Sequence, residues 1–335
     1  MSFKYEKKKG TDHSFFEIKG NRDEKDKRER VLCIPEKAED ENGDILPVEV
    51  IGNHAFSSRK DIEEIVIPDS IHTILGFAFH NCSNLKKIKM ADSVTEYLDG
   101  STRQCENLTE IEIDIEHDNF QIIRRILEDN DRRLTFRMHL TGGDALLVFP
   151  GFNYDFVENT MARTIQFAIE GTGYAYRECV KSGEINFREY DNMFPKASAD
   201  DSVTAEMIAM ARLAFPYELT SECKDMYEKW LLENAKGNLK RAIENSSLQV
   251  GALGVFTKDA GVSAIDDFSL EDHFDFYMTR KLLYKDDAKE LAHMASDKEM
   301  TAIVSMMMNF SEECRNDACD LTDEKSDDGF LELDF

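Results

Sequence analysis

A chain of 335 residues with 41% hydrophobic and 10% aromatic residues is long enough to form two folded domains. Its formal net charge of -26 would repel phosphate backbones and anionic membrane surfaces, which argues against nucleic acid and membranes as partners. The longest apolar runs, 145–149 and 301–308, are too short to span a bilayer.

The first thirty residues show the alternation that is typical of strands. Phe3 and Tyr5, and then Phe16 and Ile18, are separated by single residues, so residues 1–30 are predicted to form a capping hairpin with a charged turn at 22–30. No apolar stretch follows the charged start, which predicts that no signal peptide is present. The seven cysteines are scattered without CxxC spacing and favour reduced thiols. We therefore expect a cytoplasmic protein.

A period of 23 residues begins after the hairpin. Shifting the sequence by 23 residues places Ile65 on Ile88 and Ile111, and Cys82 on Cys105. A fixed period of this length is the signature of a solenoid and lies within the range of leucine-rich repeats. We expect the three isoleucines to stand in successive rungs of a parallel sheet, about 5 Å apart.

The repeats resemble the BspA-like leucine-rich repeats of bacterial proteins. The resemblance is carried by segments 50–56, 65–71 and 78–88, in which Ala55-Phe56 recurs as Ala78-Phe79. It covers about residues 31–115 and implies a short solenoid whose Ala-Phe pairs fill the wall opposite the strands. The third unit departs from the pattern, because Ser101-Thr102 stands where Ala-Phe is expected.

The period stops after residue 115. Apolar spacing predicts a helix over 119–127, and residues 134–140 and 145–149 predict a closing hairpin. The solenoid is thus expected to span residues 31–150, with a domain boundary near Pro150-Gly151.

Helical spacing dominates the remainder. A domain of helical hairpins is predicted over 151–310, which makes the whole chain an α+β protein. The expected helices are 159–170, 172–181, 201–214, 221–234, 237–246, 270–283, 286–296 and 298–310. The acidic stretch 311–335 is predicted to be mostly disordered, although 330–335 alternates apolar and acidic residues as an edge strand or a groove-docking segment would.

The sequence contains none of the common short catalytic signatures. Phosphate-binding glycine loops, nucleophile elbows, HExxH and calcium loops are all missing, and no cysteine and histidine spacing suits zinc. We therefore predict no cofactor, no metal and no catalytic residues.

Two groups of residues are candidate binding sites. The first consists of outward-facing positions on three predicted strands: Glu64, Val66, Lys87, Lys89, Glu110 and Glu112. The second is a patch rich in tyrosine and arginine, which are frequent at binding hot spots: Tyr154, Arg163, Tyr174, Tyr176 and Arg177. The alternative for the second group is that these side chains hold the joint between the two domains.

Three functions are compatible with the sequence. The favoured hypothesis is a bacterial scaffold, without catalysis, that binds another protein through the exposed strand residues of the solenoid. The first alternative is an enzyme with its site in the helical domain or at the joint, where a pocket would converge on Arg163, Tyr174, Arg177 and Asp191. The second alternative is a surface adhesin. The partner and the oligomeric state are left open.

Overall fold

The computed structural model describes residues 3–21, 30–40, 42–159, 164–245 and 269–317. The chain forms two compact units, residues 1–224 and 225–335. This division lies well beyond the predicted boundary at Pro150-Gly151, because the first helices after that point pack against the end of the solenoid.

The predicted hairpin at the N-terminus is present. Strands β1 (Phe3–Lys9) and β2 (Ser14–Asn21) pair antiparallel, and β2 then pairs parallel with β5 (Ile45–Ile51). The first sheet continues through β7 (Thr73–Ile74) and β9 (Glu96–Tyr97). A short strand β4 (Lys37–Glu39) also pairs with β5. The predicted turn at 22–30 lies almost entirely outside the described residues.

The second sheet contains the predicted ladder. Its parallel strands are β3 (Val31–Cys33), β6 (Glu64–Val66), β8 (Lys87–Ala91) and β10 (Glu110–Asp114). Ile65 is in register with Ile88, and Ile88 with Ile111. All three side chains are buried because alternate residues of each strand point into the coil. The expected stacking is therefore confirmed.

The wall opposite this sheet is also periodic. Phe56 and Phe79 are buried and stack with ring centroids 5.9 Å apart and planes within 9°. The turns that shape the wall have left-handed backbone at Ser58, Asn81 and Gln104, with φ of 61°, 60° and 63°. The 23-residue period thus fixes the backbone turns as well as the core.

The solenoid closes with the helix and hairpin that the sequence predicts. Helix α1 (Gln121–Asp129) leads into β11 (Leu134–Leu140), which pairs parallel with β10 as one more rung, and β12 (Gly143–Phe149) then pairs antiparallel with β11. The carboxylate of Asp129 accepts the backbone N–H groups of Gly100 at 2.8 Å and Thr102 at 3.1 Å. These bonds attach the helix to the preceding coil.

The prediction of a helix over residues 159–170 is wrong. Strands β13 (Asn153–Asn159) and β14 (Thr164–Glu170) form a two-stranded antiparallel hairpin instead. Ile165, Phe167 and Ile169 alternate with period two, which matches a strand better than a helix. The helix predicted at 172–181 is reduced to α2 (Gly173–Arg177).

Three further helices complete the first unit. Helices α3 (Phe187–Asn192) and α4 (Phe194–Asp200) precede α5 (Ser202–Ala214), which packs against β12. The carboxylate of Asp201 caps α5 by accepting the backbone N–H groups of Val203 and Thr204. Because α5 packs on the last strand of the ladder, this part of the predicted helical domain belongs to the solenoid unit.

The second unit is helical in its described part. It contains most of α6 (Ser221–Glu244), then α7 (Leu270–Thr279), α8 (Lys285–Asp297) and α9 (Thr301–Asp317), with α8 packed against α9. Helix α6 is continuous where two helices were predicted, since buried Tyr227, Leu231, Ala235, Leu239 and Ile243 share one face. Helix α9 extends to residue 317, and the rest of the predicted tail lies outside the described residues.

Candidate functional site

The first predicted group forms a regular surface, which we call the strand face. Its residues lie on β6, β8 and β10 in two columns that cross the strands, and they are Glu64, Lys87 and Glu110 in one column and Val66, Lys89 and Glu112 in the other. The parallel register places charges of opposite sign on neighbouring strands, where cross-strand pairs stabilise a sheet.

The charged side chains of the strand face form an ion-pair network. Lys87 Nζ lies 3.1 Å from Glu110 Oε1 and 2.5 Å from Glu112 Oε2. Lys89 Nζ lies 2.6 Å from the other oxygen of Glu112. The His139 ring, on β11, lies 3.7 Å from the same carboxylate. Glu112 is therefore the centre of the network.

The strand face is less exposed than the sequence suggests. The side chain of Lys89 is 44% exposed, those of Lys87 and Glu112 are each 14% exposed, and that of Glu110 is only 3% exposed. The expectation that Glu110 is exposed is therefore wrong. Strand alternation shows that the residue points away from the coil, but it does not reveal that neighbouring side chains cover it.

The two glutamates of the network respond oppositely to their surroundings. The pKa of Glu110 is raised, because the effect of burial outweighs the opposite effect of the nearby Lys87 ammonium. One of the Glu110 carboxylate oxygens has no hydrogen-bond partner among the described residues. The nearby His139 ring and the ammonium groups of Lys87 and Lys89 lower the pKa of Glu112. Protonation of Glu110 therefore stabilises the folded state, whereas ionisation of Glu112 stabilises it.

These opposite shifts predict opposite effects of removing the charge. Glu112→Gln is expected to lower the Tm near neutral pH, and the deficit should shrink as the pH falls below the unfolded glutamate pKa of about 4.3. Glu110→Gln is expected to raise the Tm near neutral pH, and this gain should fade as the pH falls through the raised pKa of Glu110 and be gone by the unfolded value of about 4.3. Thermal unfolding of the two variants from neutral pH to well below the unfolded glutamate pKa checks both. A loss of stability in both variants at neutral pH would contradict the opposite shifts.

The second predicted group is not a single exposed patch in the described structure. Tyr174 is 44% exposed, whereas Tyr176 and Arg177 are buried. Arg163 and the side chain of Tyr154 lie outside the described residues. The predicted recognition patch therefore has only one exposed member among those that are described.

Arg177 has a structural function. Its guanidinium donates to the carbonyl oxygens of Pro150 at 2.7 Å, Asn130 at 3.0 Å and Arg132 at 3.1 Å, and it lies over the ring of Phe152. These carbonyls belong to the segment after α1 and the segment after β12. Arg177 thus joins the closing elements of the solenoid within the first compact unit, whereas the alternative interpretation of this group places it at a joint between two domains.

Lysine is expected to replace Arg177 poorly. Arg177→Lys keeps the charge but loses the planar fork of donors, so the free energy of unfolding should fall by about 2–3 kcal/mol. Arg125→Lys is a matched control, because the Arg125 side chain is 50% exposed in its ion pair with Glu128 and should change stability by less than about 1 kcal/mol. Urea denaturation followed by circular dichroism measures both. Equal effects of the two substitutions would contradict the structural function.

The pocket proposed for an enzyme is not assembled from the described residues. The Arg177 guanidinium is hydrogen-bonded to backbone carbonyls, and Asp191 forms a buried ion pair with Arg212 at 2.7 Å.

Within the described ranges, no group of three or more His, Cys, Asp or Glu side chains is placed to hold a metal ion. No helix in those ranges has the length and hydropathy needed to cross a membrane.

One residue beside the strand face is not evident from the repeat. Arg137 on β11 is in register with Glu112, and its guanidinium lies 5.2 Å from the centre of the Phe215 ring. The 23-residue period does not predict the position of Arg137, because α1 replaces the usual return segment between β10 and β11. The alternation of Leu134, Phe136 and Met138 is the only sequence signal for it.

The stacked strands and their periodic wall define a solenoid repeat protein with a helical C-terminal part. Residues 46–125 match the model of the BspA type leucine rich repeat region in six copies, so this segment of the chain is a BspA-type repeat region. A repeat region of this type suggests a protein-interaction or adhesin-type role. Comparison with curated proteins found no match.

Several solved structures are similar to the chain. A leucine-rich repeat protein from Bacteroides ovatus is 27% identical, with a TM-score of 0.29, over 35% of this chain and 31% of that chain. One from Bacteroides capillosus is 26% identical, with a TM-score of 0.29, over 35% of this chain and 89% of that chain. A leucine rich cell surface protein from Faecalibacterium prausnitzii is 21% identical, with a TM-score of 0.25, over 32% of this chain and 35% of that chain. This chain thus spans about a third of the length of the first of these.

Proposed function

We propose that the protein is a scaffold without catalytic activity that binds another protein through the strand face. The observation that carries the proposal is the parallel register of β6, β8 and β10, which holds two columns of side chains at the spacing of the strands, about 4.8 Å. A rigid array of this kind lets a partner be recognised without reorganising the backbone, which lowers the entropic cost of binding.

Exposure divides the strand face into contacting and supporting residues. Lys89 is the most exposed member of the ion-pair network, and Val66, its neighbour on the adjacent strand, is half-buried and apolar. We assign contact with the partner to these two residues together with Glu64. The buried Glu110 lies beneath the exposed side chains and contacts Lys87. A partner with apolar, acidic and basic groups would complement this arrangement.

The state of the cysteines supports a cytoplasmic location. Five cysteines among the described residues are free thiols, including Cys82 and Cys105 in the core of the solenoid. Reduced thiols persist in the cytoplasm, whereas exported proteins more often carry disulfides. We therefore propose a cytoplasmic partner.

Quantitative affinity capture with three forms of the full chain tests the proposal. The face variant carries Val66→Glu and Lys89→Ala. The matched control carries Leu98→Glu and Lys60→Ala, because Leu98 and Lys60 are exposed and lie off the strand face. A partner of the strand face should be retained by the wild type and the control and be reduced about tenfold with the face variant. Equal recovery of every captured protein by the face variant and the control would overturn the assignment.

A further inference from the structure

The two sheets of the solenoid end in four outer strands, and three of these are protected against pairing with another strand. Strand β1 carries lysine at four of its seven positions, and lysine side chains on an edge hinder strand addition. Strand β9 lies beside α1, since the Tyr97 hydroxyl donates to Asp129 at 3.0 Å. On β12, the buried Tyr190 hydroxyl accepts from the N–H of Val148 at 2.9 Å and donates to its carbonyl oxygen at 2.7 Å.

Strand β3 is the fourth outer strand and has no such protection among the described residues. It consists of Val31, Leu32 and Cys33, none of which is charged. Within the described ranges, no strand pairs with the side of β3 that faces away from β6. The side chain of Val31 is 40% exposed, and Cys33 is also exposed. The second sheet therefore ends at an uncharged strand that is open in the described part of the chain.

The pairing with β6 shows which backbone groups of β3 are available. The N–H of Ile34 donates to the carbonyl oxygen of Val66 on β6 at 2.9 Å. Because the direction of hydrogen bonding alternates along a strand, the N–H and C=O of Leu32 also point towards β6. The N–H and C=O groups of Val31 and Cys33 therefore point outwards. These four groups alternate at the spacing that an added strand requires.

The exposed side chains of β3 continue the two columns of the strand face. The register places Val31 and Cys33 beside the two strand-face residues of β6, and the second of these is Val66. The three side chains form an apolar end of the surface. Directly before β3, the Arg30 side chain is 78% exposed in its ion pair with Glu63. An extended segment with apolar side chains at alternate positions and a carboxylate near Arg30 complements this edge.

We propose that β3 binds an extended segment of the protein partner as an additional strand, an inference that rests on the proposed scaffold function. Hydrogen bonds to the outward groups of Val31 and Cys33 supply affinity, and the side chains beside these two residues supply specificity. The paired segment is short, because Pro35 is the next position in the alternation and proline has no N–H to donate. The partner segment thus carries two apolar residues at alternate positions and an acidic residue beside them.

Amide NMR of the deuterated full chain tests the added strand with a synthetic peptide. The probe is acetyl-Thr-Val-Thr-Val-Glu-amide, which alternates apolar side chains and carries one carboxylate. The control peptide has the same side chains on an N-methylated main chain, which cannot donate hydrogen bonds. The probe should shift the amide signals of Val31 and Cys33 in a saturable manner at concentrations up to about 10 mM, and more strongly than that of Leu32. The response to the control peptide should be at least about tenfold weaker.

Two variants separate the edge of β3 from general attraction to apolar surface. The lysine variant carries Val31→Lys and Cys33→Lys, which give β3 the type of charge found on β1, and it should bind the probe about tenfold more weakly. The matched control carries Ile45→Lys and Leu98→Lys, which add the same charge at positions that are 68% and 40% exposed outside β3, and it should bind like the wild type. Circular dichroism checks that both variants keep the fold.

Three results would overturn the proposal: no saturable shift at Val31 and Cys33, equal binding of the N-methylated peptide, or equal weakening in the two variants. The first two are obtained on the wild type and do not depend on the folding of a variant. The capture test of the strand face changes side chains of β6 and β8, whereas the peptide test reports on the backbone of β3. Failure of the added strand is therefore distinguishable from failure of the proposed function.

Discussion

Asp191→Ala is expected to lower the free energy of unfolding by about 3–5 kcal/mol, because it breaks a buried ion pair by removing one partner. The Asp191 carboxylate and the Arg212 guanidinium are both fully buried and form two hydrogen bonds of 2.7 and 3.0 Å. Removing the carboxylate takes the two hydrogen bonds of Asp191 away from a buried cation that cannot lose its proton. Chemical denaturation followed by far-UV circular dichroism measures the loss.

Two controls show whether the loss comes from breaking the buried ion pair. Glu106→Ala removes one member of an ion pair with Arg132 that is exposed on both sides, so it should cost less than about 1 kcal/mol. The double variant Asp191→Leu with Arg212→Met removes both buried charges and should be more stable than Asp191→Ala alone. A double variant that is less stable than the single one would contradict this explanation.

Phe79→Ala is expected to cost about 3–5 kcal/mol because it removes a ring from the centre of the coil. Phe79 is 1% exposed and stacks on Phe56 of the preceding coil. The resulting cavity would lie between two rungs that contact only their neighbours, so the loss cannot be shared across a larger core. The same denaturation measurement gives its size.

A phenylalanine two residues earlier provides the comparison. Phe77 is half-buried, stacks on His54, and has left-handed backbone with φ of 58°, which disfavours a bulky side chain. Phe77→Gly loses ring contacts but relieves this strain, so its net effect should lie within about 1 kcal/mol of zero. A loss from Phe77→Gly as large as that from Phe79→Ala would show that the wall packs differently.

The solenoid could be predicted because one period determines several levels of structure. The shift of 23 residues that aligns Ile65 with Ile88 also aligns the left-handed positions Ser58 and Asn81, so core and turns follow together. The period ends where α1 replaces a return segment. The additional rung β11 could therefore not be found by repetition, although its pattern of alternation identified a strand.

The errors beyond the solenoid also have physical reasons. The predicted helix over 159–170 falls mainly on strand β14, because apolar residues this close in sequence can fit either a helical or a strand period. The predicted break between 234 and 237 does not occur in α6, because even Gly237 beside it costs only about 1 kcal/mol in a helix and the apolar face on both sides outweighs that cost.

The strand face was predictable in position but not in environment. Alternation identifies Glu110 and Glu112 as pointing away from the coil, yet one is buried with a raised pKa and the other is the centre of the ion-pair network with a lowered pKa. The difference arises from side chains on neighbouring strands, including His139 of β11. The difference between the two glutamates depends on the register between β10 and β11, which the repeat does not predict.

The stacking of the isoleucines is tested most directly by methyl NOE spectroscopy on a chain labelled at isoleucine methyl groups. The register places Ile65 beside Ile88 and Ile88 beside Ile111, at about 5 Å between neighbouring strands, whereas Ile65 and Ile111 are two strands apart, at about 10 Å. We predict strong cross-peaks for the first two pairs and a weak or undetectable one for the third. Absence of the Ile65 to Ile88 and Ile88 to Ile111 cross-peaks would contradict the ladder and the strand face built on it.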